Sequence, residues 1–412
     1  MTDAVRLIVL PEALYDGETE QPLADRAIVI EGGRIRDVTA AARAPAGRTL
    51  HAAIAAPGFI DLQINGGGGV MFNDAPTRDT LRRMAQAARR GGTAHLLATF
   101  ITATGTSYLA AMQAVREAMA EAEPGILGLH LEGPFLSPAR PGIHPPAAVR
   151  KLTPSDLDAL CEGVGGPLLV TLAPEEAPPG AIARLGQAGV TVFAGHSEAD
   201  HATMIRAADE GLRGGTHLFN AMSQLTGRAP GVVGALFDDA RLFAGIIADD
   251  IHVHPANLRL ALRVMGDRRL CLVTDAMATL DAPDARFSIN GKTIAQKDGR
   301  LADAEGRLAG AHLAMNEAVR NMCRLTGASR AQALRMAATT PAEALGLGQE
   351  LGRIAPGMRA SITLLSHDLE ACGTIVDGLC QCPLGPVVHR DFSLIRRSSF
   401  SKSASWRLHC RQ

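Results

Sequence analysis

Three residues far apart in the chain could together hold a metal ion: Glu132, His196 and His217. Glu132 lies in Gly128-Leu129-His130-Leu131-Glu132-Gly133-Pro134-Phe135-Leu136. The apolar run from Ile126 has the length of a buried strand, and Gly133-Pro134 ends it. An ionised carboxylate at the last residue of such a strand is costly unless a partner or a metal compensates it. His196 ends the run Val192-Phe193-Ala194-Gly195-His196-Ser197, and His217 lies in Gly215-Thr216-His217-Leu218-Phe219-Asn220. Taken singly, either histidine is an ordinary satisfied core residue, and the glutamate a solvated strand end. Taken jointly, one carboxylate and two imidazoles on three strand ends form a catalytic metal site with an open position. A fourth residue, Asp275, ends the run Leu270-Cys271-Leu272-Val273-Thr274, which is too apolar for a surface strand. Beside a metal-activated water, such a carboxylate could take a proton during attack and return it to a leaving amine. The competing role for Asp275 is a cap on the following loop.

The elements that must position these residues begin at Pro57. Eight apolar strand candidates follow, at 57–65, 93–102, 126–135, 168–174, 190–197, 215–222, 242–253 and 270–276. Helical patterns lie between most of them, including 78–90, 106–122, 178–188 and 255–265. Eight strands alternating with helices predict an α/β fold, a (β/α)8 TIM-like barrel whose site lies at the C-terminal strand ends. Those ends carry Gln63 and Asn65, Glu132, His196, His217 with Asn220, His252, and Asp275. A doubly wound open sheet is the alternative. Gly66-Gly67-Gly68-Gly69 follows the first strand, but no helix pattern starts directly after it, so a dinucleotide loop is poorly supported.

The chain before Pro57 has the texture of a small β module, with strand candidates at 5–10, 26–30 and 35–38. After the eighth strand, Asn290-Gly291 between β-type runs signals a hairpin. Helices are predicted over 311–325 and 329–339, and a short one starts at Pro341. Strand character resumes at Gly352-Arg353-Ile354 and 360–365. The expected organisation is a small β-sandwich domain built from 1–56 and 345–378, a catalytic barrel over 57–344, and a disordered tail over 379–412. That tail carries six Arg or Lys against one acidic residue and lacks any sustained period.

Across 412 residues the composition is 47% apolar and 3% aromatic with a net charge of −1, so no electrostatic footprint for nucleic acid or an acidic membrane is present. The N-terminus lacks a signal-peptide pattern, and no run reaches membrane-span length. A cytoplasmic protein is expected. Of seven cysteines, Cys161, Cys271 and Cys323 are isolated, while Cys380-Gln381-Cys382 lacks a zinc or redox spacing. An odd count in such a chain fits a reducing compartment.

The chain resembles the N-acetylglucosamine-6-phosphate deacetylases, a group within the amidohydrolase superfamily, over roughly residues 1–378. The resemblance rests on Pro57-Gly58-Phe59-Ile60-Asp61-Leu62-Gln63-Ile64-Asn65-Gly66, His130-Leu131-Glu132-Gly133-Pro134-Phe135 and Ala194-Gly195-His196-Ser197. It extends through Thr216-His217-Leu218-Phe219-Asn220-Ala221-Met222 and Val273-Thr274-Asp275-Ala276. It implies hydrolysis of the N-acetyl group of N-acetylglucosamine 6-phosphate, giving glucosamine 6-phosphate and acetate. The implied metal ligands are Glu132, His196 and His217, with Asp275 as general base and acid. Many amidohydrolases carry His-x-His on the first strand; here Gln63 and Asn65 stand there, matching a branch that works with one metal. One divalent ion per chain is therefore expected, zinc or ferrous iron, with Gln63 near it or its water. The resemblance places His144 on a sugar-binding loop and Asn220, Ala221, Arg228 and His252 at the phosphate. It also places Leu308-Ala309-Gly310 in a turn over the sugar, and implies a homodimer. Ala311 stands where Ser is common, and Ala360-Ser361-Ile362-Thr363 replaces the usual Ala-Asp-Leu/Ile-Val. Two further readings remain. One is another amidohydrolase acting on a cyclic amide or amine, which would usually keep His-x-His. The other is a catalytically inactive sugar-phosphate-binding protein, which would need neither the metal ligands nor Asp275.

Overall fold

The computed structural model describes residues 6–289 and 291–381. Its centre is an eight-stranded parallel sheet in chain order: Phe59–Ile64, Thr93–Ile101, Ile126–Glu132, Leu168–Leu172, Thr191–Ala194, Gly214–Gly215, Phe243–Ile246 and Leu270–Leu272. Every residue of the second and third strands is buried, as expected for parallel strands covered on both faces. The first and eighth strands meet just beyond their ends, where Asp275 N–H donates to Gln63 O at 2.9 Å and Asn65 N–H to Ala276 O at 2.8 Å. The sheet is thus a nearly closed (β/α)8 barrel.

Local sequence explains the helices that coat it. In Arg78–Arg90, Thr77 caps the N-terminus by accepting from Thr80 N–H, Asp79 sits in the first turn, and Arg89 and Arg90 sit in the last. Each charge opposes the helix dipole at its own end. Leu81, Met84, Ala85 and Ala88 recur at helical spacing and bury one face. Pro255–Met265 starts with Pro at its first turn and ends at Gly266, so both ends follow the usual punctuation.

The sixth strand is much shorter than the predicted 215–222. His217, Phe219 and Ala221 all have positive φ, at 35°, 77° and 46°, so the chain turns immediately after Gly215. After the eighth strand, four short antiparallel strands (Arg286–Ile289, Lys292–Lys297, Arg300–Ala302, Leu308–Ala311) form a separate sheet. The hairpin turn holds Gly291 at φ +74°. Leu308-Ala309-Gly310, expected as a turn, is part of the last strand of this sheet. Ala311 belongs to that strand too, and the next helix begins four residues later, at Met315–Thr326.

Both ends of the described chain meet in one seven-stranded mixed sheet. Its order is Leu379–Cys380, Ala371–Val376, Ile362–Leu365, Arg48–Pro57, Leu7–Leu14, Arg26–Glu31 and Arg34–Ala40. Ile28, Ile30, Ile35, Leu50, Ile362 and Ile375 share its core. The edge strand curls back, with Ile35 N–H donating to Met358 O at 2.9 Å and Ala360 N–H to Gly33 O at 2.9 Å. Leu379 and Cys380 pair with Val376 and Ile375, so the sheet runs past the expected boundary at Gly378. The rest of the expected tail, from Cys382, lies outside the described residues. No helix among the described residues is long and apolar enough to cross a membrane.

Candidate metal centre and active site

The third, fifth and sixth barrel strands deliver Glu132, His196 and His217 to one point. Glu132 Oε1 lies 3.1 Å from His196 Nε2 and 2.8 Å from His217 Nε2, and the two Nε2 atoms are 3.2 Å apart. All three side chains are buried. Two imidazole nitrogens facing each other at that distance can share at most one proton, so their lone pairs converge as metal donors would. His196 Nδ1 lies 2.8 Å from Arg140 O, to which its N–H donates, leaving Nε2 free to act as the ligand atom. Among the described residues this is the one group of three His, Cys, Asp or Glu with ligand atoms so arranged. The donor set and its orientation fit a divalent ion.

Asp275 stands beside this cluster at φ 49°, its backbone held by Gln63 O and by Ala311 N–H, which donates to Asp275 O at 2.9 Å. Its Oδ1 accepts from Asn65 Nδ2 at 2.6 Å and from Gln63 Nε2 at 3.3 Å. Gln63 Nε2 also lies 3.3 Å from Glu132 Oε2, so one neutral amide bridges the two carboxylates. Burial and the nearby Glu132 charge push the Asp275 carboxyl up to about 6, against His217, His252 and the Asn65 hydrogen bond. Burial also opposes ionisation of Glu132, yet hydrogen bonds from His196 and His217 hold it well below the usual carboxylate range. Two carboxylates bridged by one amide thus differ in basicity, Glu132 held low and Asp275 pushed up.

A cavity opens over these groups. Its wall includes Asn65, Glu132, His144, His196, His217, Asn220, Ala221, His252, Asp275, Leu308 and Gly310, with Ile101, Ile143, Ile247 and Met277 as apolar lining. His144 is fixed by Thr102 Oγ1, 2.8 Å from its Nδ1, and its ring centroid is 4.3 Å from that of His196. Burial and His196 lower its imidazole to about 3. His252 Nδ1 lies 2.6 Å from Asp249 Oδ2, and Asp249 Oδ1 accepts from the N–H of Ile251 and of His252.

Two sequence expectations land elsewhere. Ala309 is buried in the core of the four-stranded insert, because alternation along that strand turns it away from the cavity faced by Leu308 and Gly310. Arg228 is exposed in a turn closed by Thr226 N–H donating to Ala229 O at 2.9 Å, and it is not on the cavity wall. Gln63 is buried and touches Glu132 and Asp275 rather than the wall itself. Asp249 and Thr102 went unnoticed in the sequence, although a carboxylate three residues before His252 was a usable signal.

Fold and site together define a metal-dependent hydrolase on a (β/α)8 barrel. Residues 54–381 match the Amidohydrolase family, and the chain belongs to it. Its relatives include amino-sugar-phosphate deacetylases. The chain is 42% identical over 321 residues to an N-acetylgalactosamine-6-phosphate deacetylase of Shewanella sp. (strain ANA-3), covering 78% of this chain and 81% of that protein. It is 37% identical over 362 residues to the N-acetylglucosamine-6-phosphate deacetylase of Haemophilus influenzae, covering 86% and 94%. The crystal structure of N-acetylglucosamine-6-phosphate deacetylase from Pasteurella multocida superposes with a TM-score of 0.86 at 35% identity, covering 90% of this chain and 98% of that one.

Proposed function

We propose that this enzyme removes the N-acetyl group from N-acetylglucosamine 6-phosphate, giving glucosamine 6-phosphate and acetate. The observation that carries the reading is the convergence of Glu132 Oε1 and the Nε2 atoms of His196 and His217 beside a buried Asp275. Those three residues would hold one divalent ion, zinc or ferrous iron. When bound, it supplies Lewis acidity toward the amide carbonyl and toward a water. Asp275 accepts that water's proton as the new C–O bond forms, then gives it to the amine nitrogen as the C–N bond breaks. Asn65 and Gln63 hold the Asp275 carboxyl in place through both events. On the cavity wall, His144, Leu308 and Gly310 are assigned to the sugar, and Asn220, Ala221 and His252 to the phosphate. Asp249 fixes the His252 ring. Arg228 keeps its phosphate role from the resemblance, which requires an arrangement that brings its exposed guanidinium to the cavity. The division into a barrel over 57–344 and a small domain from 1–56 and 345–378 is proposed likewise, with Leu379 and Cys380 added to the latter.

A second reading, N-acetylgalactosamine 6-phosphate as the better substrate, is favoured by the relatives of that name at 42% and 39% identity. Steady-state kinetics on both 6-phosphates and on unphosphorylated N-acetylglucosamine tests the two together. The first reading predicts the highest kcat/KM on N-acetylglucosamine 6-phosphate. A preference for the galactosamine epimer moves the assignment to the second, and absence of acetate release from either would refute both.

A further inference from the structure

Below the metal ligands, the barrel interior is polar where side-chain packing alone would make it apolar. Thr99 on the second strand, His130 on the third, Thr171 on the fourth and Thr216 just after the sixth are all buried. They form one continuous chain: Thr99 Oγ1 to His130 Nδ1 at 3.1 Å, His130 Nε2 to Thr171 Oγ1 at 2.8 Å, and Thr171 Oγ1 to Thr216 Oγ1 at 2.6 Å. Ile64 N–H donates to Thr99 Oγ1 at 2.9 Å, which ties in the first strand. Barrel interiors are ordinarily filled by bulky branched aliphatic residues, and Val would fill each Thr position equally well. Burying four polar side chains is costly unless each is bonded. Space-filling therefore does not account for the hydroxyls.

The fifth strand makes room for the chain. A Cβ on Gly195 would meet Thr171 Cγ2 at 2.6 Å and Thr216 Cβ at 3.0 Å, so only glycine lets the fourth and sixth strands touch across this gap. Two members of the chain adjoin Glu132 and His217. His130 precedes Glu132 by two residues on the same face of its strand, and Thr216 immediately precedes His217.

We infer that Thr99, His130, Thr171 and Thr216 form a positioning layer that fixes the spacing of Glu132 and His217 and so sets metal affinity. The inference rests on the reading that Glu132, His196 and His217 hold a metal. Removing the Thr171 hydroxyl leaves His130 Nε2 and Thr216 Oγ1 each without a bridge, freeing the third and sixth strands to shift relative to each other. None of the four touches the cavity, so substrate binding is not the expected casualty.

The test uses full-length protein, with the zinc dissociation constant measured by chelator competition well below the melting temperature, and with melting of the metal-free form recorded in parallel. Thr171→Val should weaken zinc binding about tenfold, within the range seen for residues that orient metal ligands, and Thr171→Ser should restore it. Thr216→Val should act in the same direction and carries the test if Thr171→Val does not fold. A Thr171→Val protein that melts earlier but binds zinc within about twofold of the parent would show a purely structural layer and overturn the inference. Loss of affinity in both Thr171→Val and Thr171→Ser would overturn it too, because the hydroxyl would not be the cause. Absence of zinc binding by the unaltered protein would instead overturn the metal reading beneath it.

Discussion

Replacing Asp275 by Asn separates proton transfer from metal retention. Asp275 Oδ1 accepts from Asn65 Nδ2 and Gln63 Nε2, and an asparagine carbonyl oxygen can take over both contacts. Its amide nitrogen then faces the position of the second carboxyl oxygen, where it cannot accept a proton. The substitution also removes a carboxyl whose ionisation burial already opposes, so the fold should not weaken. Glu132, His196 and His217 contact one another without Asp275, so the metal should stay. General acid–base catalysis contributes roughly two to four orders of magnitude. The expected loss in kcat is therefore about 100- to 10,000-fold, or about 3–5 kcal/mol added to the activation barrier by the substitution. Acetate release on N-acetylglucosamine 6-phosphate gives kcat, and elemental analysis of the same sample gives metal content. Near-parental turnover with metal retained would refute the role of Asp275. Loss of metal along with turnover would show that Asp275 is a ligand rather than the proton acceptor.

Three further outcomes follow from the same geometry. Elemental analysis should find about one divalent ion per chain, and His196→Ala or His217→Ala should abolish its retention, since each removes one of three donors; two ions per chain would contradict the role given to Gln63 and Asn65. Arg228→Ala should raise KM for the phosphorylated sugar with little change on unphosphorylated N-acetylglucosamine, and equal losses on both would remove Arg228 from the phosphate site. Stability should fall in mild acid because of His95, which burial, together with Arg359 and Arg89, lowers to about 4. Between about 6.5 and about 4 the unfolded chain binds a proton that the folded one does not, so stability declines as pH drops through that window, by about 1.4 kcal/mol from this group at pH 5.5. Denaturant unfolding from pH 7 to 5 should show a shallower decline for His95→Gln than for the parent. An unchanged slope would exclude His95 as a source.

The cluster of Glu132, His196 and His217 was legible because apolar or glycine-rich runs lead into each of them. A buried carboxylate or imidazole at a strand end has few physical explanations: Glu132 is the last residue of its strand, and His196, His217 and Asp275 follow shortly after the ends of theirs. What the sequence hid was local backbone handedness and the direction of side chains. The residues after Gly215 look like a strand, but left-handed turns at His217, Phe219 and Ala221 end it at once. Leu308 to Gly310 has turn-like composition and yet forms an edge of the inserted sheet, where alternation sends Ala309 inward. Arg228 is close in sequence to Asn220 and Ala221, but a tight turn leaves it exposed. The threonines beneath the site were concealed by their high strand propensity, which makes a functional hydroxyl look like ordinary β-branched filling. The seven-stranded sheet combines segments more than 300 residues apart, such as Ile362 paired with Pro57 and Leu364 with Ala55, a pairing no local pattern specifies.

The most direct test of the metal centre is anomalous diffraction from crystals of the purified full-length protein, collected above and below the zinc and iron absorption edges. The structure predicts a single strong peak per chain, bounded by Glu132 Oε1, His196 Nε2 and His217 Nε2, with Asp275 beside it. No peak between those three atoms, or a second fully occupied peak at Gln63 and Asn65, would contradict it.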